Sequence, residues 1–241
     1  MKIADKIIQQ IKLLENKQDA AFLQRFFKTG PGQYGEGDHF LGVRNPEIRK
    51  IAKQYKEQVS DRDILSLIKS DWHEVRLCAL VIMNLLMESN KIPTKRKNKL
   101  IEIYLNNISI HINNWDLVDI SAPHILGKYL LEKTDRSILY ELSSGDLWQK
   151  RVALISTFAF IKNNDLFDAI RLCKKLMYEQ HDLLHKAVGW TMREIGKKNI
   201  DILYGLLNEY AASMPRTTLR YAIEKLPIKE RLFFMSLKSS Q

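Results

Sequence analysis

The stretch RVALI, at residues 151–155, begins with a basic residue and continues with small and aliphatic ones. The same order occurs in RLCAL at residues 76–80, in KAVGW at 186–190 and in RYAI at 220–223. The basic residues that begin these stretches are separated by 75, 35 and 34 residues. A pattern that returns at a nearly constant interval indicates a chain built from repeated structural units.

The longest separation is about twice the others, and its midpoint falls on residues 113–116, where we expect one more unit with a divergent sequence. A step of 34 residues back from Arg76 reaches residues 41–44. A period between the mid-thirties and the low forties, with two helices in each unit, is typical of HEAT, armadillo and TPR arrays. The Trp, Gly, Tyr and Pro consensus of TPR units is not visible, so a HEAT-like array is the better interpretation.

Apolar residues recur at intervals of three and four, as in Ile7, Ile11 and Leu14, which is the spacing of amphipathic helices. Runs with the two-residue period of a strand are almost absent from the sequence. Turn-forming residues separate short helical segments, at 30–38, 44–46, 89–94, 143–146, 162–165 and 214–216. We therefore predict an all-α fold, a right-handed α-α superhelix of HEAT-like repeats that forms a single domain over residues 1–241.

The charge balance favours a polyanionic partner. Lys and Arg outnumber Asp and Glu by 38 to 28 among the 241 residues, which gives a formal charge of +10. A membrane surface also attracts basic proteins, but the apolar run Leu77–Met87 is far shorter than the roughly 20 residues of a membrane span. The first 15 residues suit an ordinary first helix, and Cys78 and Cys173 suit reduced thiols. We expect a cytoplasmic protein with nucleic acid as its partner.

The repeated basic residues, Arg76, Arg151, Lys186 and Arg220, have two interpretations. If they lie near the starts of the inner helices of a superhelix, they form a basic stripe on its concave face, where helix N-termini add to the attraction for phosphate. Alternatively, each contacts an acidic neighbour in the next repeat, as happens in many helical arrays. The net charge favours the stripe as a whole and leaves both interpretations open for each residue.

Two local motifs have structural explanations. Residues 30–35 match the dinucleotide-binding pattern GxGxxG, but that pattern requires a preceding strand, whereas residues 19–28 have the pattern of a helix. We therefore predict a Gly-rich loop between helices, which is a common place for binding residues. His181 and His185 have a spacing that can hold a metal, but no third ligand is convincing, so core or surface histidines are preferred.

The segment NNWDLVD, at residues 113–119, suggests a candidate site. Asn114 has the character of an N-cap, which puts Trp115 at the first helical position and Asp116 in the first turn, where a carboxylate favours the helix dipole. Asp119 lies four residues after Trp115 and therefore on the same helix face. A carboxylate beside an indole is a pair that catalysis can use. The alternative is that Trp115 packs in a core while Asp119 caps or bridges a neighbour.

Several segments together resemble one known family. NNWDLVD, SAPHILG, LWQKRVALISTFAFI and HKAVGWTMREIGK, supported by FLGVRNPEIRKIA and HEVRLCAL, closely resemble the AlkD-type HEAT-like repeat DNA glycosylases. The resemblance runs from about Phe26 to the C-terminal region. It implies an enzyme that repairs alkylated duplex DNA by excising N3- and N7-alkylated purines. It also implies that the enzyme uses no metal or cofactor and does not draw the nucleotide into a deep pocket. A monomer is the default expectation for the oligomeric state.

Site residues follow from the same resemblance. Asp119 corresponds to the catalytic carboxylate of the family, and Trp115 and Trp190 correspond to the two aromatic residues that flank the lesion. Arg151 corresponds to a basic residue beside the catalytic cleft, and Arg193 to a contact with the DNA backbone.

Lys186 and Arg76 are added as DNA-binding residues from the repeat pattern. The chain departs from the family at TGPGQYGEGD, residues 29–38, where better-known members continue a helix that carries a DNA-contacting aromatic residue. Tyr34 is the candidate substitute for that residue. Three functions stay open: an excising glycosylase, a non-catalytic homologue that binds duplex, branched or distorted DNA, and a scaffold that binds proteins or peptides. The charge of +10 argues against the scaffold without deciding the matter.

Overall fold

The structure is a computed structural model that describes residues 2–237. Within that range regular structure is helical, and β pairing is limited to isolated bridges between His39 and Trp72 and between Ile108 and Ile112. The prediction of an all-α fold is confirmed. The chain divides into two compact units, Met1–Tyr129 and Leu130–Gln241. None of the described helices is long and apolar enough to span a bilayer.

The first unit contains the helices α1 (Ile3–Lys12), α2 (Lys17–Phe26), α3 (Asn45–Tyr55), α4 (Asp61–Ile68), α5 (His73–Glu88), α6 (Thr94–Leu105) and α7 (Trp115–Ser121). A π-helical turn, Pro123–Gly127, follows α7, and the short α8 (Lys128–Leu131) contains the boundary between the units. The second unit contains α9 (Ser137–Leu142), α10 (Leu147–Ser156), α11 (Phe158–Lys162), α12 (Phe167–Leu176), α13 (Asp182–Lys198), α14 (Ile200–Tyr210), α15 (Arg216–Ile223) and α16 (Ile228–Ser236).

One long helix forms the centre of each unit. Fourteen of the sixteen residues of α5 are buried, because the helix is apolar on all sides and packs against α3, α4 and α7. In the second unit α13 packs against α10, α12, α14 and α15. Each central helix therefore fixes the positions of its neighbours, and α5 in particular supports α7, which carries the candidate catalytic carboxylate.

Helix starts follow the local capping rules. The Asp146 side chain accepts hydrogen bonds from the backbone N–H groups of Trp148 and Gln149, at 2.9 and 3.1 Å, and so begins α10 at the predicted turn 143–146. Ser60 and Asp63 form a capping box at the start of α4. The predicted turn 162–165 likewise separates α11 from α12.

The repeated basic residues occupy equivalent places in four helices. Arg76 is the fourth residue of α5, while Arg151, Lys186 and Arg220 are each the fifth residue of α10, α13 and α15. All four therefore lie within the first two turns of a helix. Their exposure differs, however: Arg76 and Arg151 are buried, Lys186 is half-buried and Arg220 is exposed.

Candidate active site

Helix α7 carries three candidate site residues, Trp115, Asp116 and Asp119. The Asn114 Oδ1 accepts a hydrogen bond from the Trp115 N–H at 2.8 Å, so the predicted N-cap is confirmed and Trp115 is the first helical residue. Asp116 lies in the first turn, as predicted, where its carboxylate favours the helix dipole. Asp119 follows Trp115 by one turn and is half-buried.

Trp115 belongs to an aromatic cluster. Its ring stacks on Phe27, with centroids 5.3 Å apart, and meets the ring of Phe26 edge-on at 6.1 Å. Phe26 in turn stacks on Phe22 at 6.0 Å. Phe22 and Phe26 are 58% and 51% exposed, so part of the cluster faces solvent. Such offset and edge-on pairs fix ring orientation, which gives the Trp115 indole a defined place.

A cleft of about 510 Å³ lies beside these rings. Phe22, Phe26 and Trp115 contribute to its largely apolar lining, and the Asp116 and His73 side chains also line it. Ligand sites in proteins commonly combine an apolar wall with a few polar groups in this way. The first unit therefore offers a concave, aromatic surface next to the first turn of α7.

A buried polar network lies under the aromatic rings. The His73 imidazole donates from Nδ1 to Asp38 Oδ2 at 2.7 Å and from Nε2 to Asp116 Oδ2 at 2.8 Å. Asp38 also accepts hydrogen bonds from the Arg76 guanidinium and from Asn114 Nδ2, the latter at 3.0 Å. The network therefore links the Gly-rich loop, the start of α5 and the start of α7.

The two carboxylates keep His73 protonated. Burial alone lowers the pKa of His73, but the Asp116 carboxylate, followed by Asp38, raises that pKa to about 9. Burial also acts on Asp38, whose pKa nevertheless lies below the usual value because His73, Arg76 and Asn114 stabilise the charged form. At neutral pH the network thus contains an imidazolium between two carboxylates.

Asp119 lies in the next turn of α7, and its charge acts on Tyr104 of α6. Burial raises the pKa of the Tyr104 hydroxyl, and the nearby Asp119 charge raises that pKa further. The Tyr104 hydroxyl also shares a 2.9 Å hydrogen bond with Ser121. Asp119 and Trp115, the predicted pair, are therefore held one turn apart on a helix that packs against a buried core.

In the second unit, Trp190 lies half-buried on α13. Its Nε1 donates to Glu194 Oε1 at 3.1 Å, and the Phe158 ring meets the indole edge-on at 4.6 Å. Arg193 pairs with Glu224, and its side chain is 15% exposed. The predicted aromatic residue and the predicted backbone contact thus lie close together on α13, each with an acidic partner.

The remaining predicted DNA contacts differ in accessibility. Arg151 is 4% exposed and donates from Nη1 to the Leu183 carbonyl at 2.6 Å. Lys186 pairs with Asp182 at 2.7 Å, and its side chain is 39% exposed. Arg76 is 5% exposed and bonded to Asp38, which favours the neighbour-contact interpretation for this residue. Tyr34 lies half-buried in the Gly-rich loop of the first unit.

Sequence reasoning did not find Asp38, His73 or Glu74 as parts of the site. Glu74 accepts hydrogen bonds from the backbone N–H groups of residues 41–43, at 2.7–3.2 Å. The available signal was HEVR at residues 73–76, where three of four residues are polar or charged at the start of a mostly apolar helix. Buried charged residues are uncommon, and each requires a partner.

These features define an all-α protein built from helical repeats, with an aromatic and acidic site at the start of one helix. The sequence profile of the DNA alkylation repair enzyme family matches residues 7–226, and the chain belongs to that family. A solved structure described as a predicted DNA alkylation repair enzyme from Enterococcus faecalis is similar to the chain, with a TM-score of 0.69 and 15% identity. The similarity covers 89% of this chain and 97% of that one. No curated protein matches the chain.

Proposed function

We propose that the protein is a DNA glycosylase that hydrolyses the N-glycosidic bond of cationic N3- and N7-alkylated purines in duplex DNA. The observation that carries the proposal is the pair formed by Trp115 and Asp119, one turn apart on α7, in a chain that belongs to a DNA alkylation repair family. The protein acts as a cytoplasmic monomer, bound to the nucleoid when it engages DNA.

The chemistry suits a carboxylate without a strong general acid. Alkylation makes the purine a cation, so the base leaves with the electrons of the C1′–N bond and becomes neutral. Positive charge develops on the deoxyribose, and the Asp119 carboxylate stabilises it and orients the water whose oxygen bonds to C1′. The water proton passes to solvent. Because the leaving group is already activated, the reaction requires neither a metal ion nor a cofactor.

The aromatic residues hold the lesion. A cationic base attracts the face of an indole, an interaction of roughly 0.5–2 kcal/mol. Trp115, whose orientation Phe26 and Phe27 fix, supplies one such surface, and Trp190 supplies the second. Tyr34 adds a contact from the Gly-rich loop. Neutral purines are poor leaving groups, so selectivity comes from chemistry and the damaged nucleotide need not enter a deep pocket.

Basic residues position the duplex through its phosphates. Lys186 and Arg193 reach the backbone by exchanging their present acidic partners, Asp182 and Glu224, for phosphate oxygens. The buried guanidinium of Arg151 adds positive potential from beneath the surface. The net charge of +10 supports binding that depends on salt more than on DNA sequence.

The test is base release from duplex DNA treated with dimethyl sulfate, with the released bases separated by liquid chromatography. We expect 3-methyladenine and 7-methylguanine above the level of a protein-free sample. Asp119→Asn is expected to abolish release, whereas the exposed control Glu57→Gln leaves it unchanged.

Absence of released bases from the wild-type protein would overturn the proposal. Salt-dependent DNA binding without release, unaltered in the Asp119→Asn variant, would instead support the non-catalytic DNA-binding homologue. Comparison of linear duplexes with four-way junctions in the same binding assay then tests the preference for branched DNA.

A further inference from the structure

The proposed reaction does not use the buried carboxylate at the end of the Gly-rich loop. Asp38, the last residue of that loop, is 6% exposed, and both of its carboxylate oxygens are engaged. Oδ1 accepts from Arg76, while Oδ2 accepts from His73 at 2.7 Å and from Asn114 at 3.0 Å. A loop whose final carboxylate is bound by three donors is attached to the protein interior at that point.

The same network fixes α7 at two points of its first turn. One point is Asn114, the N-cap, which Asp38 holds through the side-chain amide. The other is Asp116, which His73 holds through Nε2 at 2.8 Å. Since α7 has only seven residues, its own backbone hydrogen bonds contribute little stability, and its placement depends on tertiary contacts.

Two anchors determine both the position of the helix and its rotation about its own axis. Asn114 and Asp116 flank Trp115, and Asp119 projects from the same face one turn later. Release of either anchor frees the first turn to rotate, which moves the indole and the Asp119 carboxylate together. Displacements of about 1 Å can reduce catalytic rates by about 100-fold.

We infer that Asp38 and His73 are positioning residues, which act through Asn114 and Asp116 to hold Trp115 and Asp119 in the geometry that base excision requires. The Gly-rich loop thereby contributes to the reaction from inside the protein, in addition to any contact that it makes with DNA. This inference rests on the proposed function.

The structure supplies variants and a matched control. His73→Gln removes the imidazolium that joins the two carboxylates, and Asp116→Asn weakens the second anchor at a side chain that is only 20% exposed. His124→Gln is the control, because His124 forms a similar 2.9 Å contact with Glu88 in the same unit but at the surface. Cooperative thermal unfolding verifies that each variant is folded.

Two constants separate positioning from binding. The rate constant for 7-methylguanine release, measured in a single turnover with excess protein, is expected to fall by about 10- to 100-fold in His73→Gln and Asp116→Asn. The Kd for unmodified duplex is expected to change by less than about threefold, since His73 is buried and Asp116 is a carboxylate, which does not attract phosphate. A rate equal to that of the His124→Gln control, or a rate loss matched by an equal loss of binding, would overturn the inference.

A second measurement decides the matter even if the wild-type protein releases no base. The indole N–H resonance of Trp115, assigned through Trp115→Phe in protein labelled with ¹⁵N-tryptophan, reports the placement of the first turn. We expect it to shift or broaden in His73→Gln and to stay in place in His124→Gln. An unchanged resonance in His73→Gln would refute the positioning role by itself, whereas absence of base release in the wild type refutes only the proposed function.

Discussion

The charge of His73 is expected to make the free energy of unfolding decrease as the pH rises into the alkaline range. In the folded state the pKa of His73 is raised to about 9 against 6.5 for an ordinary histidine, because the charges of Asp116 and Asp38 outweigh the effect of burial. A raised pKa means that the folded state holds the proton more tightly than the unfolded chain. The resulting stabilisation is complete below pH 6.5, declines as the pH rises, and is lost above about pH 9.

The size of this contribution follows from linkage. Each pH unit between the unfolded and folded pKa values corresponds to about 1.4 kcal/mol, so His73 contributes about 3 kcal/mol to the free energy of unfolding at pH 6. The side chain is 2% exposed, so solvent screening of the contacts is small. A small domain has only about 5–15 kcal/mol of net stability, which makes the loss readily measurable.

Urea denaturation followed by far-ultraviolet circular dichroism, repeated between pH 6 and pH 10, measures the effect. Carboxylates stay ionised over this range, and the titrating Lys and Tyr residues are common to all variants. We expect the free energy of unfolding to fall by about 3 kcal/mol more in the wild type than in His73→Gln. The exposed control His124→Gln should follow the wild type.

A wild-type curve parallel to that of His73→Gln would refute the reasoning, because it would mean that His73 carries the same proton in the folded and unfolded states. A free energy of unfolding that instead rises with pH between pH 5 and pH 7 would place the pKa of His73 below its ordinary value. That result would mean that burial outweighs the two carboxylates.

Two further predictions concern the segment that follows the Gly-rich loop. Glu74→Ala removes the acceptor of three buried backbone N–H groups at residues 41–43. At about 1–3 kcal/mol for each group, it should lower the free energy of unfolding by about 3–9 kcal/mol in the same urea assay. A loss below about 1 kcal/mol would contradict the assignment. Gly42→Ala should destabilise the protein by several times the roughly 1 kcal/mol expected for Gly32→Ala. Both glycines have a positive φ, of 79° at Gly42 and 73° at Gly32, but only at Gly42 would a Cβ collide with the backbone of Asn16 and Ala20. Equal melting temperatures for the two glycine variants would show that the collision is relieved.

Local signals in the sequence were sufficient for the elements of this fold. Asn114 identified the start of α7, because an N-cap acts on backbone N–H groups within three residues of itself. The turn 143–146 identified the start of α10 for the same reason. The recurrent basic residues gave the register of the four helices that carry them, since a repeat places equivalent residues at equivalent positions.

Contacts between residues that are far apart in the sequence could not be predicted from such local signals. Asp38 lies 35 residues from His73 and 76 residues from Asn114, and no local pattern specifies which buried donor meets which carboxylate. The sequence pattern correctly predicted a loop at residues 30–38, but the attachment of its last residue to the interior depends on the packing of α5 and α7. The sequence explained Asp116 only by its favourable place in the first turn of α7. In the structure the Asp116 carboxylate also binds His73.

The repeat pattern likewise predicts where each basic residue lies in its helix, but it does not predict which group that residue contacts. Arg76 is buried and donates to Asp38, and Arg151 is buried and donates to the Leu183 carbonyl. Arg220 occupies the equivalent place in α15 but faces solvent. A guanidinium that is removed from water requires nearly all of its donors to be matched, so a buried arginine binds the repeats to one another while an exposed one stays available to phosphate. The positive field of such an array therefore depends on which members of the register the packing leaves at the surface.

The same reasoning separates the two carboxylates of α7. Asp116 accepts a hydrogen bond from the protonated His73 on one oxygen and from the Leu117 N–H on the other, so its charge is matched by a permanent cation of the protein. A carboxylate neutralised in this way gives little further stabilisation to a cation that appears only in a transition state, because differential stabilisation is what accelerates a reaction. Asp119, one turn after Trp115, is the carboxylate that we propose for that role. Loss of Asp116 should then slow base release by displacing the helix, whereas loss of Asp119 should remove the chemistry.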